Sequence, residues 1–284
     1  MKLNISFVNF KKNHKNKKDQ ILFIKKKCNE YSKVENLFKF LLVEKNSFIF
    51  ESVEKGKVRG RYTIIGFNPD KIWNINKNSV VSVYEGKKTK INAKPLSFLN
   101  NLLNKFNTKV PEGLPKMASM LVGYFSYDVI RYIEKIPDKC KDDIKIPDVR
   151  LSRPRSLVIY DNLKKKIYYI ENIFGDVPIK NYFDKYQLIK KNFDLFQQYE
   201  NIKLPEKFTF KINKNKIKSN ISKNKFKSIV LKAKEHIKKG DVFQVVLSQR
   251  FERKFEKQPL EIYNALRKSN PSPFMFYFNY EDFK

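Results

Sequence analysis

The run Asn270-Pro271-Ser272-Pro273, leading directly into Phe274-Met275-Phe276-Tyr277-Phe278, restricts the possible folds more than any other stretch of the chain. Each proline fixes its own φ and biases the residue before it toward extended geometry. The backbone therefore enters the apolar run stiff and extended, and the five residues after Pro273 read as a buried strand. Neither proline carries an N–H, so the nearby carbonyls need partners from elsewhere. A stiff turn opening onto Phe274 and Met275 suits a flat apolar ligand.

Other segments follow from local pattern. Ile21 to Ile24 reads as a short strand, and Val34, Leu37, Phe38, Leu41 and Leu42 share one face of a helix. Phe48 to Val53 is rich in β formers, Gly56 and Gly60 mark a turn, and Arg61 to Phe67 returns beside it. Ile72–Ile75 and Val80–Tyr84 predict further strands around the turn Asn76-Lys77-Asn78. Pro95 opens a helix carrying Leu96, Leu99, Leu102, Leu103 and Phe106. Met117 to Tyr124 reads as a core strand feeding a helix. Arg155–Tyr160 and Lys166–Asn172 form a hairpin around Asp161-Asn162, and Pro178 opens a long helix with Tyr182, Tyr186, Ile189, Phe193 and Phe196 on one stripe. Residues 201–225 lack periodicity and read as a solvated linker between an N-terminal domain (1–200) and a second domain beginning at 226. There, Phe226 to Ile237 predicts a helix that Gly240 terminates. Val242 to Phe251 reads as a central strand, and Leu260 to Leu266 as a short helix.

Composition narrows the function. Sixty Lys and Arg against 29 Asp and Glu give a net charge of +31. The lysines are spread over the whole length beside abundant Asn, Ile and Phe, which fits coding bias better than a nucleic-acid footprint. Cys28 and Cys140 are far apart and without metal spacing, so a reduced, cytoplasmic setting is expected. With His14 and His236 as the only histidines, a histidine metal cluster within the chain is not expected. No run approaches a membrane span, and no secretory signal is visible.

Three stretches carry a resemblance. "GDVFQVVLSQRF … YNALRKSNPSPFMFY" at residues 240–277 and "FIFESVEKGKVRGRYTIIGFNP" at 48–69 resemble the chorismate-utilising enzymes, and within them anthranilate synthase component I. "LVGYFSYDVIRYIEKIP" at 121–137 is similar to the family as well. Thr63 stands where the family has serine, and Phe274 where it has tyrosine.

The resemblance implies an α+β fold of packed antiparallel β-sheets in a β-sandwich, with helices outside and an incomplete C-terminal side. It implies an N-terminal regulatory domain and the start of a chorismate-binding catalytic domain. Family members run to roughly twice this length, so the sequence is expected to be a fragment. The implied activity is that of a lyase of tryptophan biosynthesis. It joins chorismate and ammonia to give anthranilate and pyruvate, the ammonia coming from a separate glutamine amidotransferase subunit. Mg²⁺ is expected as cofactor, with its ligands beyond residue 284. No catalytic residue is assigned, and the fragment alone is expected to be inactive. The feedback site for tryptophan, by the same resemblance, falls on Glu51, Ser52, Asn270, Pro271, Pro273, Phe274 and Met275. Here Glu51 would neutralise the ammonium of the ligand, or the backbone carbonyls near Pro271 and Pro273 would take it up instead; Ser52 would donate or accept a hydrogen bond, and Phe274 and Met275 would face the indole. Aminodeoxychorismate synthase component I is the nearest alternative, and a basic nucleic-acid-binding protein is an alternative of another class.

Overall fold

The computed structural model describes residues 3–51, 60–77, 79–139, 141–202, 217–255 and 257–284. The expected turn at Gly56, and both Ser52 and Cys140, lie outside them. The chain divides into two compact units. One comprises residues 1–205 together with 262–284, and the other 206–261. The division therefore differs from the expected boundary at 225/226, because the last part of the chain belongs with the first unit.

The first unit runs α1 (Phe7–Lys15), β1 (Gln20–Lys27), α2 (Tyr31–Leu41), β2 (Ser47–Glu51), β3 (Tyr62–Asn76), β4 (Ser79–Tyr84), β5 (Lys87–Ile91), α3 (Pro95–Lys105), β6 (Val122–Phe125), β7 (Val149–Asp161), β8 (Lys166–Ile173) and α4 (Tyr182–Asn201). In the second unit lie β9 (Lys218–Ser219), α5 (Lys223–Lys238) and β10 (Phe251–Glu252). Helix α6 (Pro259–Ser269) begins there, and from Ile262 onward it belongs to the first unit, as does β11 (Met275–Asn279).

Strands β1 to β8 and β11 make one nine-stranded sheet whose main path is β1-β8-β7-β3-β2-β11, with every pairing antiparallel. The antiparallel β-structure expected from the sequence is thus present, its ladders continuous from β1 to β11, with helices beside it. Its two longest strands each serve two sets of neighbours. The first half of β3 pairs with β2 and its second half with β4, while β7 passes from β6 to β8. The change of neighbour falls at a register shift between Pro69 and Lys71, where Pro69 faces Pro154. Proline cannot donate to a ladder, so two opposed prolines interrupt the pairing and let the sheet bend there. This explains why β3 is one strand where two were expected. Sequence pattern registers the interruption as a boundary, whereas the backbone carries on through it.

One core cluster unites Ile21, Phe48, Ile64, Val122, Leu157 and Ile170, and a second gathers Trp73, Ile75, Val80, Leu99 and Val149. Val122 of β6 thus packs with residues of β1, β2 and β8, which are not its ladder neighbours. At Gly123 a Cβ would stand 1.8 Å from the Arg150 carbonyl oxygen, so only glycine lets β6 lie against β7. Beyond β6 the expected helix forms as 3₁₀ turns at Tyr127–Tyr132. The long helix α4 starts at Tyr182 rather than at Pro178, because Asn181 caps it by accepting from Phe183 N and Asp184 N.

In the second unit, Ser222 caps α5 and Gly240 follows it with φ +78°, as expected. The central strand expected over Val242–Phe251 is not there. Only Phe251–Glu252 pairs, with Lys218–Ser219, and Phe243 and Val246 are 95% and 84% exposed. A β-type apolar run does not become a strand without partners for its N–H and C=O groups, and among the described residues this one has none over most of its length.

Candidate functional site

Strand β11 completes the edge of the sheet by pairing with β2, Met275 opposite Glu51, Tyr277 opposite Ile49, and Asn279 opposite Ser47. Side chains alternate along a strand, so these pairs share one face. Phe276 and Phe278 lie on the other face with Phe50 and Phe48. Phe278 packs there against Phe50, edge to face at 5.6 Å, and stacks on Tyr280 at 5.1 Å. Thus two stretches far apart in sequence, Phe48–Glu51 and the run after Pro273, are neighbours in space.

Glu51 is the centre of the first face. It is 3% exposed, and its carboxylate accepts from Tyr263 Oη at 2.6 Å and from Tyr31 Oη at 3.0 Å. Arg267 Nε stands 2.8 Å from Glu51 Oε1, and the same guanidinium donates through Nη1 to Glu35 at 2.8 Å. The Nε–H does not point along its contact, so this is an ion pair without a well-formed hydrogen bond. The guanidinium also lies over the rings of Tyr31 and Phe38, at 5.7 and 5.8 Å. Tyr31 further meets Thr63 Oγ1 at 3.2 Å. Thr63, the residue at the family's serine position, so joins the cluster through its hydroxyl.

The electrostatics follow from burial beside a carboxylate. Burial first, and then the charge of Glu51, push the hydroxyls of Tyr31 and Tyr263 well above the usual tyrosine range, so both remain donors. Burial alone would lower the Arg267 guanidinium, but Glu51 and Glu35 outweigh it and hold it protonated. The cluster ties α2, β2, β3 and α6 together around the ion pair of Arg267 and Glu51.

The expected site residues occupy different settings around this cluster. Glu51 is in place, paired with Arg267, whose charge it shares with Glu35. Met275 is half-buried beside it. Asn270 N donates to Leu266 O at 2.8 Å and closes α6. Pro271 is exposed and Pro273 half-buried, whereas Phe274 is 83% exposed. Ser52 lies outside the described residues. Sequence reasoning missed Tyr31, Glu35, Tyr263 and Arg267. Each pair is spaced i, i+4 on its helix, which puts both members on one face, and that spacing was the available signal.

Strand β11 is held at its far end too. Asn279 Nδ2 donates to the carbonyls of Leu42 and Glu44 at 2.8 and 3.0 Å, and Asn46 N donates to Asn279 O at 2.7 Å. Beyond it, Arg150 binds Asp282, through Nη2 at 2.7 Å, and lies over Tyr280 and Phe283. Among the described residues, no three His, Cys, Asp or Glu side chains gather so as to hold a metal ion. None of their helices is long and apolar enough to cross a membrane.

Comparisons with known proteins agree with this arrangement. The chorismate binding enzyme family matches residues 45–284. Anthranilate synthase component 1 of Cereibacter sphaeroides is 30% identical over 285 residues, covering 98% of this chain and 57% of that protein. The namesake proteins of Acetivibrio thermocellus and Aquifex aeolicus are 34% and 36% identical, covering 88% and 86% of this chain and 51% and 50% of theirs. The crystal structure of anthranilate synthase component I from Streptococcus pneumoniae superposes with a TM-score of 0.59 at 26% identity, over 74% of this chain and 46% of that one. The chain spans about half the length of the curated relatives it matches. With the family match running across β2, β11 and the sheet between them, the chain belongs to the chorismate binding enzyme family.

Proposed function

We propose that these residues are the regulatory portion of the large subunit of anthranilate synthase. The whole protein converts chorismate and ammonia to anthranilate and pyruvate, and tryptophan inhibits it. The observation that carries this reading is the pairing of β11 with β2, which sets Met275 opposite Glu51. The pairing joins the two stretches most similar to component I. Ammonia would come from a glutamine amidotransferase subunit. Mg²⁺, if used, would be held by residues outside this chain, where it would draw charge from a carboxylate and ease loss of the ring hydroxyl.

Tryptophan brings an ammonium, a carboxylate and an indole. Glu51 serves the site indirectly. Paired with Arg267, it holds β2 against α6, so that the backbone where β2 ends and the segment Asn270–Phe274 stay in register. The ammonium then falls to backbone carbonyls beside Pro271 and Pro273, where proline leaves no local N–H to occupy them. The Ser52 hydroxyl can donate to the carboxylate or accept from the ammonium. Met275 and the exposed ring of Phe274 supply apolar surface for the indole. A ligand clamped between β2 and the turn before β11 shifts the enzyme only by its differential affinity for two states.

The test is made in the full-length enzyme. Ser52→Leu should weaken tryptophan inhibition by about tenfold or more, the equivalent of ~1.4 kcal/mol, while turnover of chorismate without tryptophan is preserved. Inhibition unchanged in that variant would remove the regulatory reading. The 284-residue chain on its own should form no anthranilate, measured by fluorescence.

A further inference from the structure

Arg267 meets two carboxylates, and the two contacts differ. Its Nη1 donates to Glu35 Oε1 at 2.8 Å in a well-formed hydrogen bond. Its Nε stands equally close to Glu51 Oε1, but the Nε–H is buried and finds no acceptor along its bond. A guanidinium left with Glu51 alone would turn its fork of Nε and one Nη onto that carboxylate, the favoured geometry of such pairs. Glu35, on α2, holds it away from that alignment.

A charge count follows. Two carboxylates share one guanidinium, so the triad carries one negative charge more than it neutralises. The hydroxyls of Tyr31 and Tyr263 that donate to Glu51 stay protonated and add none. Glu51 and Arg267 are largely withdrawn from water, whereas the side chain of Glu35 is 39% exposed. Solvent therefore screens the excess only in part. Lys268, next along α6, is exposed, and water screens its charge far more. The triad is also joined to both stretches of the feedback site. Glu51 directly precedes Ser52 in sequence, and Asn270 follows Arg267 by three residues, about one helical turn. Across the ladder, Met275 faces Glu51.

We propose that Glu35 is a specificity-determining residue of the feedback site. By dividing Arg267 between two acids it keeps a net negative charge beside Ser52 and Asn270, and this selects an inhibitor that carries an ammonium over one of the same shape without it. Glu35 touches no ligand and acts through Arg267, as a positioning residue. The inference rests on the reading of this junction as a tryptophan site and adds to it the group that sets its preference for amino acids.

The test compares two inhibitors of the full-length enzyme, tryptophan and indole-3-propionate, which keeps the indole and the carboxylate but lacks the ammonium. The ratio of their inhibition constants reads the ammonium alone, and a merely structural defect, which weakens both together, leaves that ratio unchanged. In the parent, tryptophan should inhibit at least about tenfold more tightly. Glu35→Gln keeps the shape and an acceptor for Arg267 Nη1, and should narrow the ratio about fivefold or more. Glu35→Asp, which keeps the charge, should retain most of it. Loss of a half-exposed ion pair costs little stability, so both variants should melt close to the parent. A ratio unchanged in Glu35→Gln, or narrowed as far by Glu35→Asp, would overturn the role of Glu35. Ser52→Leu separates the two readings. If it relieves inhibition while Glu35→Gln leaves the ratio intact, only the role of Glu35 is lost. If it leaves inhibition untouched, the feedback site is lost and this role with it.

Discussion

Arg267 is the residue on which the neighbourhood of Glu51 most depends. It brings one positive charge to a carboxylate that is otherwise sealed from water beneath the sheet. Removing one partner of a buried pair leaves the other charge uncompensated, and that costs more than the pair itself contributes. Arg267→Met should therefore lower stability by about 3–5 kcal/mol in urea unfolding. Adding Glu51→Gln should restore more than half of the loss, because the amide carries no charge, its oxygen accepts from one of the two tyrosines and its NH2 donates to the hydroxyl of the other. A double variant as unstable as the single one would mean that Arg267 acts by packing on Tyr31 and Phe38 instead. Little of this was legible beforehand. Glu51 stands out in a β-rich run, but its partner Tyr263 comes 212 residues later, and no local pattern announces a contact at that distance.

Elements were legible where their cause is local. The stripe Val34, Leu37, Phe38, Leu41 is buried in α2, and the paired runs around Asp161 became β7 and β8. Legibility failed where the cause is a neighbour. Val242–Phe251 has the composition of a central strand and is mostly unpaired, whereas Met275–Asn279 has the same composition and finds β2. For β11 the deciding contacts include the far-end anchor. Asn279→Ala would remove the amide donor to the carbonyls of Leu42 and Glu44 just after α2, leaving Leu42 O with only the Ser47 hydroxyl. We expect a loss of about 1–3 kcal/mol and faster hydrogen exchange at the Asn46 amide, which donates to Asn279 O. Unchanged exchange at Asn46 would mean that β11 is held by its ladder alone.

For the molecule as a whole, the first unit is discontinuous in sequence, since residues 262–284 return to residues 1–205. Its sheet ends at β2 unless β11 is supplied. A chain stopped at Pro205 would present β2 as a bare apolar edge and leave Glu51 without Arg267 and Tyr263. Such edges template association. We expect that truncated chain to self-associate in sedimentation velocity and to lack a sharp thermal transition. A monomer melting at the temperature of the 284-residue chain would show that β11 is dispensable. The charge of +31 acts at this scale as well, because mutual repulsion favours solubility without selecting a fold.

The late arrival of β11 also has a bearing on synthesis. Leu42 leaves the ribosome 237 residues ahead of the asparagine that will bind its carbonyl. At ~5–20 residues per second the early strands wait roughly 10–50 s for the segment that closes their rim. Through that interval a nascent polypeptide carries an unfinished, sticky margin, and whatever shields it in the cell must remain bound for as long as translation lasts.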